Sequence, residues 1–293
     1  MPKHIITKAI LPVAGFGTRF LPATKAQPKE MLPVVDKPVV QYIVEDLVAS
    51  GIEDIIFVTG RGKRALEDHF DISYELEDTL AQKHKTELMA SMRGISSLAR
   101  FTYVRQKLPK GNGDALLMAS HLVGDEPVLV IFGDCLYDSK VPTAKQLILS
   151  YKKYHAPIIG LTEVEKKEDS KFGVIDGVKL SDGYMEITKF VEKPKEEDAP
   201  SNIVAPGKYV ITPEIFCAFE NIQKKDGELG LDDAFNFLLG QGKKIYGRML
   251  EGKWLDTGDK LNFIKATIHM GLKHPEIREG LREYLKTLKT EVK

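Results

Sequence analysis

The sequence predicts an α/β fold on a mixed, mostly parallel sheet, with added β-hairpins and helices at its C-terminal end. Three observations carry this expectation. Short unbroken apolar runs at 9–13, 55–58 and 128–132 each stop at small or polar residues, as strands buried on both faces do. Between the first two runs lies a stretch with apolar residues three and four apart, so strand, helix and strand follow one another as in a βαβ unit. Later, Asp176-Gly177 and Asp182-Gly183 are hairpin-type turn signals.

Taken in order, the run at 9–13 is the first strand, and it breaks into Ala14-Gly15-Phe16-Gly17-Thr18-Arg19. A helix is expected over 39–50, with Gly51 placed to close it. The strand at 55–58 ends at Thr59-Gly60, and a helix is expected over 63–70. The polar stretch 74–92 spaces Leu76, Leu80, Leu88, Met89 and Met92 at helical intervals and reads as one or two surface helices. A strand at 101–105, a glycine-bearing loop at 107–113 and a helix at 114–122 follow. The run at 128–132 ends in Gly133-Asp134; a helix over 143–154 and a strand over 158–164 come next. Hairpins are expected across 172–192, strands at 245–250 and 254–255, and helices over 260–272 and 275–288. The economical organisation is a single domain over 1–293, with an α/β core at 1–258 and a helical appendage at 259–293.

Composition narrows the partners. The 293 residues hold 42 Lys and Arg against 42 Asp and Glu, so no basic surplus exists to hold nucleic acid or an anionic membrane. No apolar run approaches the ~20 residues a membrane span needs. Two cysteines, Cys135 and Cys217, make no disulfide framework, and the N-terminal residues lack a signal-peptide core. A cytoplasmic protein is expected.

The opening loop carries the strongest chemical signal. A strand that ends in small residues and runs on into Arg19, Lys25, Lys29 and Lys37 offers backbone N–H groups and cations to an anion such as phosphate. It is neither a P-loop, since Gly-Lys-Ser/Thr is absent, nor a dinucleotide fingerprint, since Phe20 and prolines follow the two glycines. A tight turn remains the plain alternative for Gly15 and Gly17. Asp134 follows a buried strand at the edge where open α/β sheets bind ligands, and Asp256 follows another strand end. Two such carboxylates suit Mg²⁺, which takes one or two of them plus phosphate oxygens; capping a turn is the alternative. Lys110-Gly-Asn-Gly113 reads as a helix-entry loop or a base-recognition edge, and Glu192-Lys193 as a ligand pair or an exposed strand end. No nucleophile for covalent catalysis stands out.

These pieces resemble the sugar-nucleotide pyrophosphorylases, most closely the bacterial uridylyltransferases. The matching text is AGFGTRFLPATKAQPKEMLPVVDKPVVQY at 14–42, VRQKLPKGNGDA at 104–115, VGDEPVLVIFGD at 123–134, FGVID at 172–176, FVEKPKEEDAPSN at 190–202, GKYVI at 207–211 and WLDTGDKLNFIKATIHMGLKHPE at 254–276. The resemblance implies a Rossmann-like nucleotidyltransferase three-layer sandwich, commonly a homodimer or homotetramer. It implies Mg²⁺-assisted transfer of a uridylyl group from UTP to glucose 1-phosphate. Arg19, Lys29 and Asp134 would be catalytic. Ala14, Gly15, Gly17, Thr18, Glu30, Gln106, Gly111 and Gly113 would hold the nucleotide, with Gln106 reading the pyrimidine. Gly173, Glu192 and Lys193 would hold the sugar phosphate, and Asp134 and Asp256 the metal. Asp114 stands where the uridylyltransferases usually carry His, and Gly133 where they carry Pro. Residues 227–234 read GELGLDDA against their GEIQLTDA, so thymidylyl transfer or another sugar 1-phosphate, such as N-acetylglucosamine 1-phosphate, is the nearest alternative. A non-catalytic nucleotide-binding protein is the alternative of another class.

Overall fold

The computed structural model describes residues 6–165 and 171–291. The chain runs through β1 (Lys8–Pro12), a small ladder of β2 (Pro33–Val34) and β3 (Lys37–Pro38), α1 (Val39–Ala49), β4 (Asp54–Thr59) and α2 (Arg64–Phe70). Then come α3 (Tyr74–Gln82), α4 (Thr86–Ser96), β5 (Arg100–Arg105), α5 (Asn112–Val123), β6 (Val128–Ile131), β7 (Cys135–Asp138) and α6 (Thr143–Tyr154). The second half holds β8 (Ile158–Glu163), β9 (Gly173–Lys179), β10 (Tyr184–Glu192), β11 (Ile203–Ala205), β12 (Lys208–Ile211), α7 (Pro213–Asn221) and α8 (Leu231–Gly240). It closes with β13 (Tyr246–Met249), β14 (Lys253–Asp256), α9 (Lys260–Gly271) and α10 (Arg278–Glu291).

Side chains alternate across each central strand, and both faces are covered, which is why these strands read as continuous apolar runs. From β1, Ala9 and Leu11 enter one core with Val40, Ile43 and Leu47 of α1 and Leu147 of α6. Ile10 enters the other, with Leu116 and Ala119 of α5 and Phe235 of α8. The β4 strand repeats the division, with Ile55 and Phe57 on the first side and Ile56 and Val58 on the second. Helix, sheet and helix therefore make three layers, as expected.

Ten strands pair in the order β11-β9-β10-β13-β8-β12-β6-β1-β4-β5. Parallel pairing joins β5, β4, β1 and β6. Beyond β6 the sheet changes character: β12 lies antiparallel to both β6 and β8, and parallel pairing returns only between β13 and β8. Of the two turn signals, Asp182-Gly183 lies in the β9–β10 hairpin turn, whereas Asp176-Gly177 sits inside β9, opposite the register shift between Ile187 and Lys189; β11 runs along β9 and β13 along β10. Since β11 also pairs with β8, strands β8, β11, β9, β10 and β13 close on themselves. One end of the molecule is thus an open parallel sheet and the other a closed, mainly antiparallel ring.

The stretch 74–92 is two helices, α3 and α4, with no apolar side chain of α4 buried. Strands β7, β11 and β12 and helices α7 and α8 lie outside the elements that periodicity marked. Leu231, Ala234, Phe235 and Leu238 did carry the helical interval. For β12 the obstacle was Lys208, a residue that normally marks surface; here it is buried, bonding Thr143 Oγ1 and pairing with Asp46 at 3.4 Å. No helix among the described residues is long and apolar enough to cross a membrane.

Candidate active site

The chain leaves β1 through α1 to β4 on one side, while β6 flanks β1 on the other. Loops at such a reversal of strand order part and leave a crevice beyond the carboxyl ends of the strands. The two loops here are 13–32 and 132–134. In the first, Gly17 has a left-handed φ of 64°, and its carbonyl accepts from Thr24 Oγ1 at 2.7 Å, which folds the loop back on itself. Lys29, on a single 3₁₀ turn, then reaches across the crevice and donates from Nζ to Asp134 Oδ2 at 2.6 Å.

A separate two-stranded ladder brings the second carboxylate. The β14–β7 register sets Asp256 opposite Cys135, next in chain to Asp134. Thr257 reinforces it, its hydroxyl donating to the Asp134 carbonyl at 2.9 Å. Asp256 is oriented by the Gly258 N–H at 2.8 Å on Oδ1 and the Asn262 amide at 3.1 Å on Oδ2. A Cβ placed on Gly258 would lie 3.0 Å from Asp256 Oδ1, 3.4 Å from Asp134 Oδ2 and 3.6 Å from Arg19 Nη1, so these three groups converge on one point. Arg19 also donates to the Gly258 carbonyl at 3.4 Å.

The electrostatics of the cluster are uneven. Burial works against the charge on Lys29, but Asp134 and Glu30 outweigh it and raise its pKa, so it stays a cation. Burial likewise opposes the Asp134 carboxylate, and Lys29 reverses that and holds it below the usual range. Asp256 goes the other way: burial dominates and raises it, with the Asp134 charge adding to the rise. An oriented carboxylate left at elevated energy has room for a cation to stabilise it.

Two adjoining cavities share Gly15, Lys29, Asn112, Phe132 and Asp134. The smaller, about 260 Å³, is bordered by Ala14, Gln106, Gly111 and Gly133. Gly111 takes a φ of 92°, and a Cβ there would meet the Leu229 carbonyl oxygen at 2.5 Å. Only glycine allows the loop to lie against 229, where Gly113 N–H donates to the Leu229 carbonyl at 2.8 Å. Glu30 borders the same cavity but is 1% exposed, its carboxylate 2.8 Å from the Lys63 ammonium. Burial pushes Glu30 up and Lys63 down, and each resists the other's neutralisation.

The larger cavity, about 320 Å³, takes in Gly17, Thr18, Arg19, Asp134, Asp256, Gly173, Glu192 and Lys193. Gly173 packs beneath Phe190 and Glu192, where a Cβ would stand 3.0 Å from Glu192 Oε2. Glu192 and Lys193 pair with each other at 2.9 Å. Of the fifteen residues anticipated as nucleotide, sugar-phosphate, catalytic or metal positions, all but Gly113 border one cavity or the other. Gly113 supports the wall from behind.

Residues 8–271 match the family described as nucleotidyl transferase. The chain belongs to that family. The UTP–glucose-1-phosphate uridylyltransferase of Bacillus subtilis is 46% identical over 97% of this chain and 97% of its own. A UDP-glucose pyrophosphorylase solved with UDP-glucose superposes with a TM-score of 0.83 at 41% identity, covering 92% of this chain and 100% of that one. The UTP-bound enzyme from Acinetobacter baumannii gives a TM-score of 0.88 at 35% identity, over 96% and 98%.

In this nucleotidyl transferase, several site residues carried no legible signal. Lys63 sits in a polar helix start, and nothing local says that it reaches Glu30. Asn112 caps a distant element, its Oδ1 accepting from Leu231 N at 2.8 Å, and so ties the loop at 110–113 to α8. Asp232, at the start of α8, joins Glu192 in the larger cavity. Asn262 had a weak signal, as it lies three residues after the Asp259 N-cap.

Proposed function

We propose that the chain transfers a uridylyl group from UTP to glucose 1-phosphate, giving UDP-glucose and pyrophosphate. The observation that carries the reading is the convergence of Arg19, Lys29, Asp134 and Asp256 at the junction of two cavities, one bordered by Gln106 and one by Glu192. The likeness to relatives named for this reaction supports it over the full chain. We assign the nucleotide to Ala14, Gly15, Gly17, Thr18, Glu30, Gln106, Gly111 and Gly113, and the sugar phosphate to Gly173, Glu192 and Lys193.

The sugar phosphate is already an anion and needs no general base to attack the α-phosphorus. Lys29, kept protonated by its anionic neighbours, and Arg19 stabilise charge as it shifts to the departing pyrophosphate. The glycine-bearing loop presents backbone N–H groups, and the two cavities set nucleophile and phosphorus in line, so catalysis is positioning and electrostatics. Two oriented carboxylate oxygens fit Mg²⁺, and Asp256 makes no ion pair among the described residues that would compete for it. Asp134 and Asp256 would hold the ion, which when bound neutralises phosphate charge and orients the triphosphate.

We read the chain as one domain, cytoplasmic, with α9 and α10 as an appendage. The homodimer or homotetramer expected of it has support in Ile72, Tyr74, Leu76 and Leu88, apolar side chains exposed around α3 and α4. The test is a matrix of UTP, dTTP, CTP and ATP against glucose 1-phosphate and N-acetylglucosamine 1-phosphate, scored by pyrophosphate release. UTP with glucose 1-phosphate is expected to give the highest rate; a higher rate with dTTP, or with the amino sugar, overturns the assignment.

A further inference from the structure

Gln106 is 6% exposed, and its side-chain amide is held at one end only. Its Nε2 donates to Asp114 Oδ2 at 2.8 Å and to the Gly111 carbonyl at 3.2 Å, which uses both amide hydrogens. Its Oε1 accepts no hydrogen bond among the described residues, yet it is not among the buried polar atoms left without a partner. Since Gln106 borders the smaller cavity, that oxygen is the group it presents there.

An amide can turn over and exchange O for N, so what matters is what prevents the turn. Asp114 lies in the first turn of α5, where the helix N-terminus favours a carboxylate. Ionised, it has only acceptors to offer, and so does the Gly111 carbonyl. Turning the Gln106 amide would set its oxygen against both. The carboxylate therefore fixes the direction of a hydrogen-bonding group that it does not share with the cavity.

We propose that Asp114 is a positioning residue that locks the Gln106 carbonyl toward the base, so that the site accepts a pyrimidine with an N3–H donor and rejects cytosine. Uracil and thymine both place N3–H, a donor, between two carbonyls. Cytosine has an unprotonated N3 in that place, and two acceptors then face each other without a proton between them. The inference rests on the proposed uridylyl transfer and adds the residue that sets its base selectivity. It also makes thymine acceptable at this contact, so discrimination between UTP and dTTP must come from room for the 5-methyl group.

Asp114→Asn is the decisive variant, because it is nearly isosteric and can donate as well as accept. The Gln106 amide then finds a partner at residue 114 in either orientation, and only the longer contact to the Gly111 carbonyl, at 3.2 Å, still opposes the turn. Initial rates with UTP and with CTP, at saturating glucose 1-phosphate, are compared for the wild type, Asp114→Asn and Asp114→Glu. In Asp114→Asn the ratio of kcat/KM for UTP to that for CTP should fall roughly tenfold to a hundredfold, the worth of one satisfied or opposed buried hydrogen bond. Its KM for glucose 1-phosphate and its melting temperature should stay unchanged. Asp114→Glu, an acceptor only, should keep the preference for UTP. An unchanged UTP:CTP ratio in Asp114→Asn, or equal losses with both nucleotides, overturns the positioning role. A wild type that uses CTP as well as UTP overturns it too while leaving uridylyl transfer standing. A wild type that uses neither removes the functional reading with it.

Discussion

The two halves of the site are built differently. On the parallel side of the sheet, nearly every polar group that faces the nucleotide cavities is held by a second protein group. Lys29 is tied to Asp134, Glu30 to Lys63 and Gln106 to Asp114, and Asp256, brought in by the separate β14–β7 ladder, is likewise tied to Asn262. On the antiparallel side, Glu192 and Lys193 are exposed neighbours in sequence that pair with each other. A triphosphate is a fixed, highly charged target, and an arrangement set before it binds loses little entropy in meeting it. A sugar has many hydroxyls at similar energies, and groups held loosely in water can adjust to them. Under the proposed assignment, the reaction falls in the rigid half and the choice of sugar in the compliant one.

The largest effect should come from the rigid half. Asp134→Ala removes a carboxylate from the point of convergence and leaves the Lys29 ammonium without its partner. Turnover should fall by roughly a thousandfold or more, in keeping with losses seen when a preorganised charged group is deleted. Circular dichroism should show the fold retained, because Asp134 is only half-buried. Turnover within tenfold of the wild type would sever Asp134 from the chemistry.

Next in size is Lys63→Met. It strands the Glu30 carboxylate behind the nucleotide cavity, with Lys29 as its only remaining cationic neighbour of those that hold it down. Removing one member of a buried pair typically costs about 3–5 kcal/mol. The urea midpoint at pH 7 should fall accordingly, while Lys63→Met combined with Glu30→Leu should recover part of the loss. A midpoint equal to that of the wild type would mean that the pair carries no structural role.

How far the sequence reached follows the same division. The opening loop announced Arg19 and Lys29 because cations are crowded into one stretch, although Lys25 and Lys37 of the same stretch border neither cavity and Lys37 pairs with Glu45 at 2.8 Å; Asp134 was legible because a buried strand ends at it. Lys63, Asn112 and Asp232 were not, since each acquires its meaning from a partner brought close only by topology. Asn112 meets Leu231 across 119 residues. The convergence of Asp134 with Asp256 depends on the β14–β7 ladder, and β7 is too short and too soon after β6 to show as a separate strand. The change from parallel to antiparallel beyond β6 was hidden for a related reason. The strand that makes the change, β12, begins with Lys208, whose burial makes sense only once Asp46 and Thr143 are beside it.

In the compliant half, Glu192→Gln should raise the KM for glucose 1-phosphate by roughly tenfold, the worth of one charge-assisted hydrogen bond. It should leave the KM for UTP and the melting temperature within error, because its ion pair with Lys193 is exposed. An effect shared equally between the two substrates would erase the division drawn here.

The smallest effect is the most diagnostic of why this half is loose. Asp232 lies near Asp233 and Glu192; burial first, then those two charges, raise its pKa above the usual carboxylate value. A carboxyl whose folded pKa is raised favours the folded state at acid pH, where it keeps its proton, and that advantage is lost as pH rises through the folded pKa. Above it, the ionised group is held at a cost, which solvent screening keeps under about 1 kcal/mol. Asp232→Asn should therefore be slightly more stable than the wild type at pH 7, and the two urea-unfolding curves should converge below about pH 4, where the carboxyl is protonated in both states. The same variant should weaken use of the sugar phosphate, since a site that spends stability to gather acceptors does so for a ligand rich in hydroxyl donors. A variant no more stable at neutral pH would show the carboxylate to be relaxed in its place, and the sugar half would then be as settled as the nucleotide half.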